Sequence, residues 1–279
     1  MKSALFSVSL GILILLPTSS VQAAPLAPQR KALWGKDLKR AVQVAKQLGR
    51  MRSAKALDLL MESLQLGAPT EYCKSRGKCT PDLAVALVNA IGNHKSSRAV
   101  NLLVNYTRNR NAKVRAQAIR ALGVLSDPKV AKKIAAAMIK SLSDRDVQVR
   151  MAAAWVVAHR TKAKLVLPRR ERLEGLLIKL LDRGDTAAPS IGLAAIGGYL
   201  TARHLAVNLK KLPEITIAKI YRSLLVRKDF GPDPIRQWIV RALAEIKGQH
   251  ATEALANYAA NPPLPGLKSV AMANQFMEK

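Results

Sequence analysis

Lysine and arginine side chains recur at helical spacing along this chain, and side chains of this type hold anions through charge-assisted hydrogen bonds. The segment from Pro128 to Leu142 carries four lysines on one helix face, away from its apolar face. Similar faces recur in other segments, and we predict that together they form one basic binding surface. The predicted binding residues are Arg98, Arg108, Lys129, Lys132, Lys133, Lys140, Lys162, Lys164, Arg169, Arg170, Arg172, Lys179, Arg203, Lys210 and Lys211. The alternative is a solvated helix face in a basic protein.

The charge of the whole chain is consistent with an anionic partner. Lys and Arg number 46 against 18 Asp and Glu, the formal net charge is +28, and the excess runs along the entire length. A field of this size attracts nucleic acid, anionic lipid or acidic polymer, although solubility alone also explains it. Nucleic acid is disfavoured because the aromatic residues on which bases stack make up only 4% of the chain. Trp155 and Trp238 lie in apolar stretches, and we predict that both belong to the core.

Sequence patterns of enzymes do not accompany the basic residues. The chain has no His-Glu-x-x-His, no Gly-x-Ser-x-Gly and no phosphate-binding glycine loop. Asp229-Phe230-Gly231 matches a kinase tripeptide, but no other kinase motif is present, so we predict a turn there. The sequence therefore predicts a protein that is not an enzyme, with no catalytic residue, no metal site and no cofactor.

The N-terminus and the two cysteines indicate export. Residues 1–23 combine Lys2, an apolar run over residues 4–16 and the small-residue site Val21-Gln22-Ala23, which is the pattern of a signal peptide. An uncleaved anchor is the alternative, but the run is shorter than the roughly 20 residues that a spanning helix needs. In an oxidising compartment, Cys73 and Cys79 are predicted to form a disulfide, since a metal site would need four ligands. We expect a periplasmic or secreted protein.

The rest of the chain reads as paired helices. Asn111 to Leu142 shows two apolar faces at helical spacing, separated by Ser126-Asp127-Pro128, where Asp127 can cap the second helix. Arg115 and its surroundings recur at Arg150, 35 residues later, which is a period typical of helical repeats. We predict a short extension at 24–35, repeats over 36–261, and a Pro-rich turn with a capping helix at 262–279. The predicted pairs are 36–66, 81–108, 111–142, 144–182, 186–211 and 214–260.

The run from Val114 to Pro128 resembles a HEAT repeat, whose pattern is Asp-x-x-Val-Arg-x-x-Ala followed by Ala-Leu-Gly and a short turn. Asn111 departs from it, since Asp is usual there. The resemblance implies an all-α fold, a right-handed α-solenoid of about six helix pairs in which second helices line the concave side. It also implies that the Val-Arg arginines bond to acidic groups of adjacent repeats. These arginines are Arg115, Arg150 and Arg236, with Asp146 and Asp233 as candidate partners. The second-helix residues would then form a basic inner surface, with Arg160 to Lys164 and Arg169 to Arg172 at its rim.

HEAT-like families also include enzymes, whose active-site residues differ from those of this chain. Deoxyhypusine hydroxylases bind iron through His-Glu pairs, but none of the four histidines here is followed by Glu. HEAT-like alkylpurine DNA glycosylases and phycobilin lyases are resemblances of fold alone. We therefore predict a non-catalytic scaffold of the periplasm or cell exterior whose basic concave surface binds an acidic protein or an anionic envelope polymer. The alternatives are a salt-insensitive protein–protein adaptor and a HEAT-like enzyme of lyase or glycosylase type.

Overall fold

The computed structural model of the protein describes residues 26–66, 81–246 and 248–278. The predicted signal peptide, Cys73 and Cys79 lie outside the described residues. Within these ranges no helix combines the length and the apolarity that a membrane-crossing segment requires.

The described residues form fifteen α-helices and two short 3₁₀ helices, and no strand occurs among them. The first eight helices are α1 Ala27–Leu33, α2 Leu38–Arg50, α3 Ala54–Gln65, α4 Asp82–Asn93, α5 Val100–Tyr106, α6 Ala112–Gly123, α7 Ala131–Leu142 and α8 Val147–Lys162. The other seven are α9 Arg170–Asp182, α10 Ala187–Ile196, α11 Tyr199–Val207, α12 Glu214–Leu225, α13 Asp233–Ile246, α14 Gln249–Ala260 and α15 Lys268–Met277. The 3₁₀ helices are Ser97–Ala99, which leads into α5, and Pro128–Val130, which leads into α7.

The helices after α1 are arranged in two layers. The even-numbered helices α2 to α14 pack one on the next and form one layer, and the odd-numbered helices α3 to α15 pack beside them in the second layer. This arrangement confirms the predicted all-α solenoid, because the helices of successive repeats bury their apolar faces in one continuous core. In chain order the described residues form seven even–odd pairs: α14 packs with α15, although the sequence grouped 214–260 as one irregular pair. We call the even-numbered helices first helices and the odd-numbered ones second helices.

Close approach of the first helices depends on small residues. A Cβ atom added to Gly49 would lie 2.8 Å from both Cα and Cβ of Ala90 on the next first helix. At Gly92 it would lie 2.8 Å from Cβ of Ala121. The Leu/Ile-Gly pairs at the ends of α2 and α4 therefore let the backbones of neighbouring repeats come into contact.

Helices in the N-terminal half begin at local caps. The side chains of Asp37, Ser53, Asn111 and Asp146 each accept a hydrogen bond from a backbone N–H in the first turn of their own helix. Asn111 makes this bond to the N–H of Lys113 at 2.9 Å, so the departure from Asp does not remove the cap.

Three helices in the C-terminal half, α11, α14 and α15, are capped by carboxylates from other helices. Glu174 on α9 accepts hydrogen bonds through Oε1 from the N–H groups of Gly198 and Thr201 and from the Thr201 hydroxyl, at 2.8, 3.1 and 2.6 Å. Glu214 on α12 accepts from the N–H of Ala251 on α14 at 2.7 Å. Asp233 on α13 accepts from the first residues of α15. These bonds provide acceptors for N–H groups at helix N-termini that have no partner within the helix, and they also join successive repeats.

Candidate functional site

The predicted basic residues are exposed, and most lie on the second helices or in the turns beside them. We call the outward face of the second helices, with these turns, the second-helix face. The residues on α7, α9 and α11, or in the 3₁₀ helices and turns beside α5, α7 and α11, are Arg98, Arg108, Lys129, Lys132, Lys133, Lys140, Arg172, Lys179, Arg203, Lys210 and Lys211. Lys162, Lys164 and Arg169 are exposed around the turn from α8 to α9.

Polar contacts between neighbouring second helices show that α3, α5 and α7 lie side by side on this face. Lys133 Nζ on α7 donates to Asn101 Oδ1 on α5 at 3.0 Å. Arg98 Nη2, just before α5, donates to Asp58 Oδ1 on α3 at 2.6 Å. The Arg98–Asp58 pair is exposed, so it contributes little to stability, but the carboxylate of Asp58 offsets the charge that Arg98 could offer an anion.

Two arginines at the predicted rim have structural roles. Arg160 is buried, with 1% of its surface exposed, and donates to the carbonyl of Leu125 at 2.8 Å and to that of Val166 at 2.9 Å. Burial lowers the pKa of its guanidinium. The rim placement of Arg160 was wrong, because its side chain turns inward to pair with carbonyls at the end of α6. Arg170 donates to the carbonyl of Ile196 at 3.0 Å, at the end of α10.

The Val-Arg arginines form ion pairs between repeats, as the resemblance implied, but with different partners. Arg115 donates through Nε and Nη2 to both carboxylate oxygens of Asp144, at 2.9 and 2.8 Å, with 8% and 16% of the two side chains exposed. Arg150 pairs with Asp185 through a single contact, from Nε to Oδ2 at 2.6 Å. Asp146, the predicted partner, instead caps α8 by accepting from the N–H of Gln148. The acidic partner therefore lies in the turn before the cap, where it faces the preceding repeat.

Arg236 does not form an ion pair of this kind. Its side chain is 1% exposed and donates to the carbonyls of Leu225 and Arg227, at 2.6 and 2.8 Å. Burial lowers the pKa of its guanidinium. The predicted partner Asp233 is occupied by Ser269 and the N–H of Lys268. The predicted pairing was wrong because α12 ends beside Arg236 and offers it buried carbonyl acceptors.

A groove of about 800 Å³ opens on the second-helix face between the turn after α5, the end of α7 and the start of α9. Besides Arg115, which pairs with Asp144, its lining includes five basic residues, namely Arg108, Arg110, Lys140, Arg145 and Arg172. Among the described residues no carboxylate pairs with any of the five. We call this set the arginine groove. It unites three predicted binding residues with Arg110 and Arg145, which the sequence analysis missed.

Asp144 is the acidic residue in the lining of the arginine groove, and its charge is already compensated. Partial burial raises the pKa of its carboxyl, but hydrogen bonds from Arg115 and from the N–H of Asp146 outweigh this and hold the pKa below its ordinary value. The carboxylate is thus ionised and bound to Arg115, and it leaves the five basic side chains of the groove uncompensated.

Arg110 and Arg145 carry a sequence signal that could have revealed them. They lie 35 residues apart, each five residues before a Val-Arg arginine, and so occupy equivalent turns of successive repeats. Helical spacing does not detect them because neither residue belongs to a helix.

The two tryptophans predicted to be in the core are on the surface. Trp155 is 41% exposed and stacks on His159, with ring centroids 5.0 Å apart and an interplanar angle of 8°. Trp238 is 37% exposed and lies against Tyr199, with centroids 6.3 Å apart. The prediction failed because α8 and α13 contain apolar residues beyond those that face neighbouring helices, so local apolarity did not identify the buried side.

In the part of the chain that the structure describes, no three His, Cys, Asp or Glu side chains come close enough to hold a metal ion.

Comparison with known protein families supports the repeat assignment at the sequence level. The HEAT repeats family matches residues 74–141, which include α4 to α7. The family described as non-SMC mitotic condensation complex subunit 1 matches residues 113–188. The chain therefore contains HEAT repeats over the matched residues 74–141. No curated protein matches the sequence of this chain.

Several solved structures are similar to this chain at low sequence identity. The complex of CpcE and CpcF of phycocyanin lyase from Nostoc sp. PCC7120 is 17% identical, with 96% of this chain and 99% of that chain covered and a TM-score of 0.45. Human deoxyhypusine hydroxylase in complex with glycerol is 17% identical, with coverages of 90% and 95% and a TM-score of 0.39. A designed armadillo repeat protein is 15% identical, with coverages of 91% and 99% and a TM-score of 0.37.

Proposed function

We propose that this protein is a non-catalytic binding platform that holds an anionic partner on its second-helix face. Stacked helix pairs of this type are a scaffold typical of protein binding, since each repeat adds surface to one extended face. The observation that supports an anionic partner is the continuity of basic side chains across neighbouring second helices. Lys133 beside Asn101 links α7 to α5, and the arginine groove links α7 to α9. The partner is an acidic protein or an anionic polymer of the cell envelope.

The proposed location is the periplasm or the cell exterior, and it is supported by the signal-peptide pattern of residues 1–23. Fractionation of the source cells, with N-terminal sequencing of the purified protein, tests this. A protein that starts at Ala24 outside the cytoplasm is the expected result. A cytoplasmic protein that retains Met1 would contradict the proposal.

Binding through the second-helix face is tested by crosslinking in the source cells followed by affinity capture. The variant Lys132→Glu/Lys133→Glu/Lys140→Glu reverses three exposed charges on α7. The matched control, Lys39→Glu/Lys113→Glu/Lys219→Glu, reverses three exposed lysines on first helices and lowers the net charge equally. We expect the α7 variant alone to lose the partner, and we expect the wild-type complex to dissociate at high salt. Equal capture by both variants would refute the proposal.

A salt-insensitive protein adaptor is the second candidate, and one observation favours it. Four large apolar side chains are exposed on the neighbouring helices α11 and α13, namely Tyr199, Leu200, Val207 and Trp238, and the rings of Tyr199 and Trp238 lie against each other. Apolar surface of this kind is typical of protein interfaces, and binding through it withstands salt. The variant Tyr199→Ser/Trp238→Ser distinguishes this candidate, since it would remove a partner that the α7 charge reversals leave bound.

A further inference from the structure

We propose that the arginine groove is a discrete binding site for phosphoryl groups, with room for two or more that lie close together. This inference rests on the proposed function and names the anionic chemistry of the partner. It arises from the convergence of Arg108, Arg110, Lys140, Arg145 and Arg172, which come from three separate parts of the chain. The second-helix face as a whole would attract any polyanion, whereas this groove can distinguish one kind of anionic group from another.

The turns that carry Arg110 and Arg145 are held rigidly by the Val-Arg arginines. Arg115 Nη1 donates to the carbonyls of Asn109 and Arg110, both at 3.0 Å. Arg150 Nη1 makes the equivalent bonds to the carbonyls of Asp144 and Arg145, at 3.0 and 3.1 Å. Each Val-Arg arginine therefore fixes the backbone that carries one arginine of the groove.

The two turns are also fixed relative to each other. Arg115 on α6 reaches across to both oxygens of Asp144 in the next turn, and this pair is largely buried. The ion pair lies in the lining of the groove between the two turns. The spacing of Arg110 and Arg145 is thus set before any ligand arrives, which reduces the ordering cost of binding.

Electrostatics favours a ligand with several negative charges. Among the described residues, none of the five groove side chains has a carboxylate partner, and the carboxylate of Asp144 is neutralised by Arg115. One carboxylate would compensate only a fifth of this charge. A phosphoryl group carries nearly two charges at neutral pH, so two or three of them approach the charge of the groove.

Geometry favours phosphoryl over carboxyl groups. A carboxylate is planar and is bracketed by donors in its own plane, whereas a phosphoryl group presents three oxygens in different directions. Here the donors approach from the turn after α5, from the end of α7 and from α9 on another side. The groove volume of about 800 Å³ also exceeds what a single phosphoryl group needs.

Calorimetric titration with inorganic tripolyphosphate tests the site on the whole mature chain at fixed salt. The variant Arg110→Glu/Arg145→Glu removes two groove cations whose side chains make no hydrogen bond within the described residues. The matched control, Lys39→Glu/Lys219→Glu, makes the same change of net charge at exposed lysines of the first helices, outside the groove. We expect the groove variant to bind tripolyphosphate at least about tenfold more weakly, and the control less than about threefold more weakly.

The titrations can overturn the inference in two ways. Equal losses in the two variants would mean that tripolyphosphate responds to total charge and that the groove is no site. Citrate bound as tightly as tripolyphosphate would remove the preference for phosphoryl groups. Thermal unfolding of both variants at the wild-type temperature excludes misfolding as the cause of a loss.

Failure of the inference and failure of the proposed function give different results. If the groove binds tripolyphosphate selectively while the α7 charge reversals leave capture in cells unchanged, the site stands and the proposed function fails. If capture in cells depends on α7 but tripolyphosphate shows no selectivity for the groove, the platform stands and the phosphoryl site is refuted.

Discussion

The close contact of first helices at Gly49 allows a sharp test of the packing. In the variant Gly49→Ala, the new Cβ would lie 2.8 Å from Cα and Cβ of Ala90 and 3.3 Å from its carbonyl oxygen. Two of these neighbours are backbone atoms, which no change of rotamer can move. Gly175 on α9 is the matched control, because a Cβ added there meets nothing within 4 Å.

The two substitutions should change stability in opposite directions. Carbon atoms in contact lie about 3.5–4.0 Å apart, so Gly49→Ala forces α2 and α4 apart by roughly 1 Å. Such overpacking costs about 1–3 kcal/mol, and Ala gains less than about 1 kcal/mol over Gly near a helix end. We therefore expect Gly49→Ala to lower the free energy of unfolding by about 1–2 kcal/mol. Gly175→Ala should raise it by about 0.5–1 kcal/mol because it removes backbone entropy from the unfolded chain.

Differential scanning calorimetry of the mature chain measures both effects. For a chain of this length a change of 1 kcal/mol moves the midpoint by about 2–4 °C, so the two variants should lie on opposite sides of the wild type. If Gly49→Ala matched Gly175→Ala in sign and size, close backbone contact would not be the reason for the glycine, and the packing of α2 on α4 would be refuted.

Three other perturbations follow from buried polar contacts. Glu174→Ala leaves the donors at the start of α11 unpaired and should destabilise by about 2–4 kcal/mol in denaturant unfolding. Arg160→Met leaves buried carbonyls at the end of α6 without a partner and should cost a similar amount, about 2–4 kcal/mol, in the same measurement. Asp144→Asn should change the pH dependence of stability, because the pKa of Asp144 is lowered in the folded protein. The stability due to its carboxylate is complete above the ordinary value of 3.8 and is lost as pH falls through the lowered pKa, so the difference between wild type and variant should shrink in acid.

Controls on the same helices make these three expectations decisive. Glu171→Ala changes an exposed residue of α9 and should lower the free energy of unfolding by less than about 1 kcal/mol. Equal losses of stability in Glu171→Ala and Glu174→Ala would contradict the capping role of Glu174. Lys162→Met changes an exposed residue of α8 and should stay within about 0.5 kcal/mol, and a loss as large as that of Arg160→Met would reject the buried role. A difference between wild type and Asp144→Asn that stays constant with pH would show that Arg115 does not stabilise the ionised carboxyl.

Local signals in the sequence were sufficient to predict the helices and the repeat. Apolar residues at helical spacing and an Asx residue before the first turn depend only on chain geometry, so α6, α7 and α8 were predictable from residues 111–162. The role of Arg115 and Arg150 as contacts between repeats also followed, from the repeat that they share with a known family. The basic residues of α7 were expected on one exposed face and lie there, because a helix fixes the direction of each side chain.

The tertiary structure alone decided which groups meet. Whether an arginine faces an acid, as Arg115 does, or a buried carbonyl, as Arg236 does, depends on which helix end the next repeat places beside it. The exposure of Trp155 likewise depends on which sides of α8 its neighbours cover. The arginine groove exists because stacking brings two turns and α9 together, across a sequence separation that no local pattern encodes. Helical periodicity is a property of one segment, whereas the pairing of charges and the burial of a face are properties of the stack.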